Sequence, residues 1–101
     1  MSERNFQRRV IKYLKEHGCY VLNVPGSSSI PAGTPDLIFC ANGRFMALEL
    51  KVAGNKPSLL QLHHVKEIDK AGGYALILYE SDFDEYKRWF ENVFLQQSVD
   101  V

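Results

Sequence analysis

The chain has 101 residues, of which 46% are hydrophobic and 24% charged, and this balance predicts one soluble domain with a single small core. No stretch approaches the ~20 consecutive apolar residues of a membrane span, and no apolar signal core follows the first residues, so we expect a cytoplasmic protein. The two cysteines, Cys19 and Cys40, form no CxxC pair, which argues against a structural zinc site and against a disulfide framework.

Charge is distributed unevenly along the chain, although it cancels overall. Twelve basic and twelve acidic residues give a formal net charge of zero, whereas nucleic-acid-binding proteins usually present an electropositive surface. Residues 1–56, however, contain eight Lys/Arg against four acids, so that they carry +4 and residues 57–101 carry −4. The first half could therefore bind an anionic partner, and an ordinary uneven surface is the alternative interpretation.

The N-terminal segment has the spacing of an amphipathic helix. Apolar side chains recur at helical intervals from Ser2 to about His17, with Ser2 as the N-cap and Gly18 as the C-terminal stop. The opposite side carries a basic stripe, which either follows a DNA backbone or is simply solvated, formed by Arg4, Arg8, Lys12 and Lys15. Glu3 lies over the apolar side, where its carboxylate faces inward or stabilises the helix dipole.

Apolar runs separated by turn residues predict strands over residues 19–24, 37–41 and 44–52. The loop 25–35 lies between the first two strands and contains Ser27, Ser28 and Ser29. Loops of this length often bind ligands, so these serines either donate hydrogen bonds to phosphates or belong to a mobile linker. Asn42-Gly43 is typical of a two-residue type I′ turn, and it predicts that the second and third strands form a β-hairpin.

The remaining segments alternate helix, strand and helix. Ser58 begins a helix that runs to about residue 71, and its predicted buried side consists of Leu59, Leu62, Val65 and Ile68. Residues 74–79 form a fourth strand. Ser81 followed by Asp84 resembles a capping box at the start of a last, aromatic helix. We expect a loose tail at residues 96–101.

The resulting order, α-β-β-β-α-β-α, predicts a single-domain α/β fold. A right-handed crossover places the fourth strand parallel to the third, which gives a mixed four-stranded sheet flanked by helices.

The predicted hairpin brings two acids to facing positions. With Asn42 and Gly43 in the turn, Asp36 lies opposite Glu49, and directly opposed residues hold their Cβ atoms roughly 4.5–5.5 Å apart. Like charges at this distance are destabilising, and a divalent cation would offset them. Lys51 projects from the same face as Glu49, because side chains alternate along a strand. The apolar residues of the third strand face the core, namely Met46, Leu48, Leu50 and Val52.

This combination suits phosphodiester hydrolysis. Mg²⁺ is commonly held by one or two carboxylates together with waters and phosphate oxygens. A lysine beside such an ion can orient the attacking water or stabilise the charge that develops on the phosphate. The alternative interpretation is a surface salt bridge between Lys51 and a neighbouring acid.

The stretch Gly33-Thr34-Pro35-Asp36, followed after the hairpin by Glu49-Leu50-Lys51, resembles the signature of PD-(D/E)XK nucleases, and the element order resembles their restriction-endonuclease-like core. Over about residues 2–80, the chain is more similar to VRR-NUC (virus-type replication-repair nuclease) domains, which in turn resemble archaeal-type Holliday junction resolvases. The resemblance implies that Asp36 and Glu49 are metal ligands, with the Leu50 carbonyl and Glu3 as further ligands. It also implies that Lys51 is the catalytic lysine and that Gln61 supports catalysis.

The sequence thus predicts a Mg²⁺- or Mn²⁺-dependent DNA endonuclease that cuts branched DNA such as Holliday junctions. The candidate DNA contacts are Arg4, Arg8, Lys12, Ser27, Ser28, Ser29 and Lys56. The alternatives are a non-catalytic nucleic-acid-binding module with the same fold, a flap- or end-cutting nuclease, and a hydrolase of small phosphorylated compounds.

We also expect a homodimer, because branched junctions are cut on two strands related by a two-fold axis. The last helix has more aromatic residues than one buried face requires, and this surplus is a candidate dimer surface or else part of the core. These aromatic residues are Phe83, Tyr86, Trp89, Phe90 and Phe94. His63 and His64 are adjacent and cannot chelate one metal together, so we interpret them as surface residues or DNA contacts.

Overall fold

The structure is a computed structural model that describes residues 2–95, apart from the side chain of Val93. The expected tail, residues 96–101, lies outside the described residues. The elements are α1 (Glu3–Glu16), β1 (Tyr20–Asn23), β2 (Leu37–Ala41), β3 (Arg44–Lys51), α2 (Leu59–Lys70), β4 (Tyr74–Tyr79) and α3 (Phe83–Trp89). A 3₁₀ turn (Glu80–Asp82) precedes α3, and a π-helical turn (Phe90–Phe94) follows it. Among the described residues, we find no helix with the length and apolar character that crossing a membrane requires.

The four strands form one mixed sheet in the order β1-β2-β3-β4. β1, β2 and β3 are antiparallel neighbours, and β4 runs parallel to β3, which confirms the predicted fold. The hairpin has the predicted register, since Ala41 pairs with Arg44 and Leu37 with Leu48. Asn42 and Gly43 have φ values of 51° and 77°, as the positive φ of a type I′ turn requires.

The hydrophobic core lies between the sheet and the pair of helices α1 and α3. α1 begins at its Ser2 N-cap, whose side chain accepts a hydrogen bond from the backbone N–H of Asn5, and buries an apolar stripe of Phe6, Val10 and Leu14. Alternate residues of β3 face the same core, and these are Met46, Leu48 and Leu50. The expected apolar row of the third strand is therefore present.

The aromatic residues of α3 and of the π-helical turn belong to this core. Phe83, Tyr86, Phe90 and Phe94 are buried, and the Phe90 and Phe94 rings stack with centroids 5.6 Å apart. Of the two interpretations of these rings, core packing is therefore confirmed for these four, whereas Trp89 is only partly buried. The homodimer itself stays a prediction. The expected capping box is absent from this described segment, since no side chain caps the N-terminus of α3.

Helix α2 packs against β4 and β3 on the other face of the sheet. The prediction of its buried side is partly wrong: Leu59 and Leu62 are 85% and 44% exposed, whereas Val65 and Ile68 are partly buried. The helix turns a polar residue, Gln61, toward the sheet at this end, so the leucines face solvent. Beyond α2 the same face of the sheet carries exposed apolar side chains, with Tyr20 at 69%, Leu22 at 51% and Phe45 at 49% exposed.

Candidate active site

Asp36 lies just before β2, where the hairpin register continues by one more pair. Its backbone carbonyl accepts a hydrogen bond from the Val24 N–H at 2.8 Å, which joins the end of β1 to the start of β2. Its carboxylate oxygen Oδ2 accepts a hydrogen bond from the backbone N–H of Leu50 at 2.9 Å. These two bonds hold the Asp36 carboxylate over β3, next to Glu49.

Glu49 is the one buried charged residue in the part of the chain that the structure describes, with an exposed fraction of 2%. Its oxygen Oε2 accepts a hydrogen bond from Gln61 Nε2 at 3.0 Å and lies 3.4 Å from Lys51 Nζ. Its other oxygen, Oε1, is buried and has no hydrogen-bond partner among the described residues. With both acids ionised, the protein therefore satisfies only one oxygen of the Glu49 carboxylate, since a hydrogen bond between Glu49 and Asp36 needs a proton on one of them.

The environment of Glu49 makes its ionisation unfavourable. Burial, as the largest cause, and the neighbouring Asp36 carboxylate together raise the pKa of the Glu49 carboxyl from its ordinary value of 4.5 to about 7. The Lys51 ammonium opposes this shift of the pKa. One lysine thus compensates only part of the cost of holding two acids together in a desolvated position.

Gln61 connects this pair of acids to the start of α2. Its Oε1 accepts a hydrogen bond from the Ser58 N–H at 2.8 Å, and its backbone N–H donates to Ser58 Oγ at 3.1 Å. This is a capping box at the N-terminus of the helix. The Nε2 group of the same side chain remains available for Glu49, so the helix cap also fixes the position of the carboxylate.

The loop between β1 and β2 packs against α2. Gly33 has a φ of 87°, and a Cβ atom there would lie 2.6 Å from the backbone carbonyl carbon of Leu60, so only glycine fits this close approach. The ring nitrogen Nε2 of His64 lies 3.1 Å from the Ala32 carbonyl oxygen. The loop encloses a cavity of about 160 Å³ that reaches Asp36. Sequence reasoning missed this contact of His64, because no local signal pairs a helix residue with a loop about 30 positions earlier.

The structure thus brings together Asp36, Glu49, Lys51 and Gln61 among the predicted site residues. It does not place Glu3 with the two acids: within residues 2–95, no three His, Cys, Asp or Glu side chains are close enough to hold one metal ion. The Glu3 carboxylate instead lies 3.5 Å from Asn55 Nδ2.

The backbone N–H of Leu50 is bonded to Asp36, and its side chain is in the core. The role of the Leu50 carbonyl as a metal ligand stays a prediction. All the candidate DNA contacts are exposed, namely Arg4, Arg8, Lys12, Ser27, Ser28, Ser29 and Lys56.

Comparison with known proteins shows which family the chain belongs to. The model of the archaeal Holliday junction resolvase (Hjc) family matches residues 2–92. The chain belongs to this family. Hjc membership supports a nuclease function of the resolvase type and, with it, a DNA substrate.

Solved structures agree on the fold. A structure described as "VRR_NUC domain" has a TM-score of 0.73 and 21% sequence identity, over 91% of this chain and 97% of that one. A second, described as "VRR_NUC domain protein", has a TM-score of 0.71 and 19% identity, over 90% and 89% of the two chains. The curated proteins contain no match to this sequence. The resemblance inferred from the sequence is thus confirmed by the Hjc family match and by the shared fold.

Proposed function

We propose that the protein is a Mg²⁺- or Mn²⁺-dependent endonuclease that cuts branched DNA such as four-way junctions, acting as a homodimer. The observation that carries this proposal is the placement of the Asp36 and Glu49 carboxylates side by side, with the Lys51 ammonium 3.4 Å from Glu49. A structural ion pair would need one acid and one base. Here a second acid, Asp36, is held beside Glu49, although the repulsion between the two carboxylates makes ionisation of Glu49 less favourable.

The donor set fits a hard divalent cation. Glu49 keeps one buried oxygen without a partner among the described residues, and an unpaired buried polar atom is costly unless a ligand satisfies it. Both side chains offer carboxylate oxygens, which are the ligands that Mg²⁺ and Mn²⁺ prefer. Asp36 and Glu49 would therefore hold the ion, and the carbonyl of Leu50 is a candidate for a further ligand.

The roles of the chain's own residues follow from their contacts. When bound, the ion supplies positive charge to the scissile phosphate and lowers the pKa of a coordinated water. The Lys51 ammonium, held beside Glu49, donates hydrogen bonds to the attacking water or to the oxygen on which negative charge develops. Gln61 is a positioning residue, because its Nε2 group holds Oε2 of Glu49 in one orientation.

DNA would be bound mainly through its phosphates. Arg4, Arg8 and Lys12 form an exposed basic stripe on α1, and phosphate contacts of this kind position a duplex without reading its sequence. The loop serines and Lys56 are exposed on segments that adjoin the site. A domain with these features would recognise the shape and charge of a branched substrate rather than its bases.

A homodimer would use a different surface from the one that the sequence suggested. The apolar face beyond α2 is exposed on β1 at Tyr20 and Leu22 and on β3 at Phe45, and the next pairs along the same hairpin lead to Asp36 and Glu49. Two copies that bury this face about a two-fold axis would present two active sites to two strands of one junction. Tyr20→Lys combined with Leu22→Lys should then give a monomer in a sedimentation experiment.

The proposal is tested with labelled junction, flap, splayed and linear DNAs of equal length, incubated with Mn²⁺ or with EDTA. We expect the wild-type protein to cut the junction fastest and only with metal, and Asp36→Asn to abolish cutting. Asp84→Asn is the matched control, because the Asp84 side chain is 83% exposed on α3, and it should cut like wild type.

Each alternative function gives a different result. A non-catalytic module binds junctions but cuts none of the four DNAs, with Mn²⁺ or with EDTA. A flap- or end-cutting nuclease prefers flap or linear DNA over the junction. A hydrolase of small compounds turns over nucleotides and leaves all four DNAs intact. Any of these results contradicts the proposed function.

A further inference from the structure

The outer edge of β4 is an open edge of the sheet. β4 is the last strand in the sheet order, and residues 2–95 supply no strand beyond it. The Asp69 carboxylate accepts a hydrogen bond from the Ala75 N–H at 3.1 Å, which blocks the first position of this edge. Because backbone groups alternate in direction along a strand, the N–H groups of Ile77 and Tyr79 lie on the same outer edge. These groups can pair with an added strand.

A cavity of about 440 Å³ opens between this edge and α3. Met46, Leu76 and Trp89 form much of its apolar wall. Leu76 faces the core side of the sheet, as shown by its pairing with Leu48, yet it is only partly buried because α3 does not close over it. The space is large enough for one or two large apolar side chains from outside the domain.

The cavity also has polar features that limit what can occupy it. Asp82 and Glu85 line it and are exposed, so that its rim is acidic. Tyr86 lines it as well, is 6% exposed, and has a buried hydroxyl without a hydrogen-bond partner among the described residues. A basic group that reaches the rim would compensate the acids, and a polar group that enters the cavity could pair with the Tyr86 hydroxyl.

We propose that the β4 edge and this cavity, together the β4 groove, bind an extended segment of another protein that carries apolar side chains and a Lys or Arg on one and the same face. Such a segment would add a fifth strand, as in known strand-addition complexes. Side chains of an added strand alternate between the two faces of the sheet, so both kinds have to lie on the face toward α3. The apolar side chains would enter the cavity on Leu76 and Trp89, and a basic side chain two residues further along would lie beside Asp82 and Glu85.

The acidic rim argues against two other occupants. DNA would be repelled by Asp82 and Glu85, because its backbone carries a dense negative charge. A second copy of this chain would bring the same acids together across a two-fold axis, since an isologous interface uses one surface twice. The groove is also distinct from the Asp36–Glu49 site, so its test does not depend on nuclease activity.

The test uses a fluorescein-labelled peptide with the length of β4, six residues, in which Val, Val and Lys occupy alternate positions with Thr between them, titrated with the full chain. We expect saturable binding by fluorescence anisotropy, with shifts of the Ile77 and Tyr79 amide resonances and of the Trp89 indole resonance in NMR spectra. Asp82→Lys combined with Glu85→Lys should weaken binding about tenfold or more. Glu67→Lys, an exposed acid on α2, is the matched control and should bind like wild type.

Two further peptides separate strand pairing from simple charge attraction. A peptide with N-methyl groups at every second position cannot donate backbone hydrogen bonds on one edge, and the same peptide with Glu in place of Lys carries the wrong charge. Both should bind at least about tenfold more weakly. The proposal is overturned if the Val and Lys peptide shows no saturable binding, if either altered peptide binds equally well, or if the resonance shifts map elsewhere.

Discussion

Replacement of Glu49 by glutamine should stabilise the metal-free protein at alkaline pH. The pKa of Glu49 is raised from 4.5 to about 7 by burial and by Asp36. The folded protein therefore binds this proton more tightly than the unfolded chain does. The free energy of unfolding of wild type should fall as pH rises from about 4.5 through about 7, because the folded state then has to hold a buried carboxylate.

The size of the effect follows from the two pKa values. A difference between 4.5 and about 7 corresponds to about 3 kcal/mol once both states have lost the proton. Glutamine keeps the shape of the side chain but carries no charge, so the variant avoids this cost. The pKa of about 7 already includes the opposing effect of Lys51, so the ion pair is not subtracted again. We therefore expect the variant to be more stable than wild type by about 3 kcal/mol near pH 8, and by much less near pH 5.

The assay is urea unfolding of both proteins at several pH values between about 5 and 8, with EDTA present. The difference between the two proteins isolates Glu49, since all other titrating groups are shared. Glu67→Gln serves as the control, because Glu67 is exposed on α2, and its difference from wild type should not vary over this range. The reasoning is refuted if the stability difference between Glu49→Gln and wild type stays constant with pH, or if the variant is the less stable protein near pH 8.

Three further predictions concern metal, catalysis and the loop. Millimolar Mg²⁺ or Mn²⁺ should raise the melting temperature of wild type but not of Asp36→Asn, because a ligand bound only by the folded state stabilises it; equal shifts in calorimetry would contradict the metal site. Lys51→Ala should bind junction DNA in a gel-shift assay as wild type does but cut it at least about a hundredfold more slowly, and equal cutting would remove this lysine from the mechanism. Gly33→Ala should lower the free energy of unfolding by about 2 kcal/mol, because its Cβ atom would meet the Leu60 backbone at a positive φ. Gly26→Ala, which meets open space, is the control in urea unfolding, and similar midpoints for the two variants would show that the loop does not depend on this contact.

The hairpin and the pairing of the two acids could be predicted from the sequence because short-range features determine them. Asn42-Gly43 fixes the turn, and strict alternation along β3 fixes which side chains share a face. Together they place Asp36 opposite Glu49 without any knowledge of the rest of the fold. The same local rules correctly gave the bounds of β2 and β4.

The errors arise where a distant part of the chain decides the outcome. The leucines of α2 have the spacing of a buried stripe, yet Leu59 and Leu62 face solvent because the sheet beneath this end of the helix presents Glu49. Similarly, the spacing of the aromatic residues in α3 and in the π-helical turn fits either a surface position or a core position. Only the size of the sheet face that they cover decides between the two, and no local pattern reports that size.

The shared use of Gln61 restricts which residue can occupy this position. A capping box accepts either Glu or Gln, since both side chains can accept the hydrogen bond from the Ser58 N–H. Only Gln also carries an NH₂ group that can donate to Glu49, whereas Glu would place a third negative charge beside the two existing ones. Gln61→Glu would thus keep the helix cap and still disturb the two acids, so an exchange that is conservative for the helix is not conservative for the site.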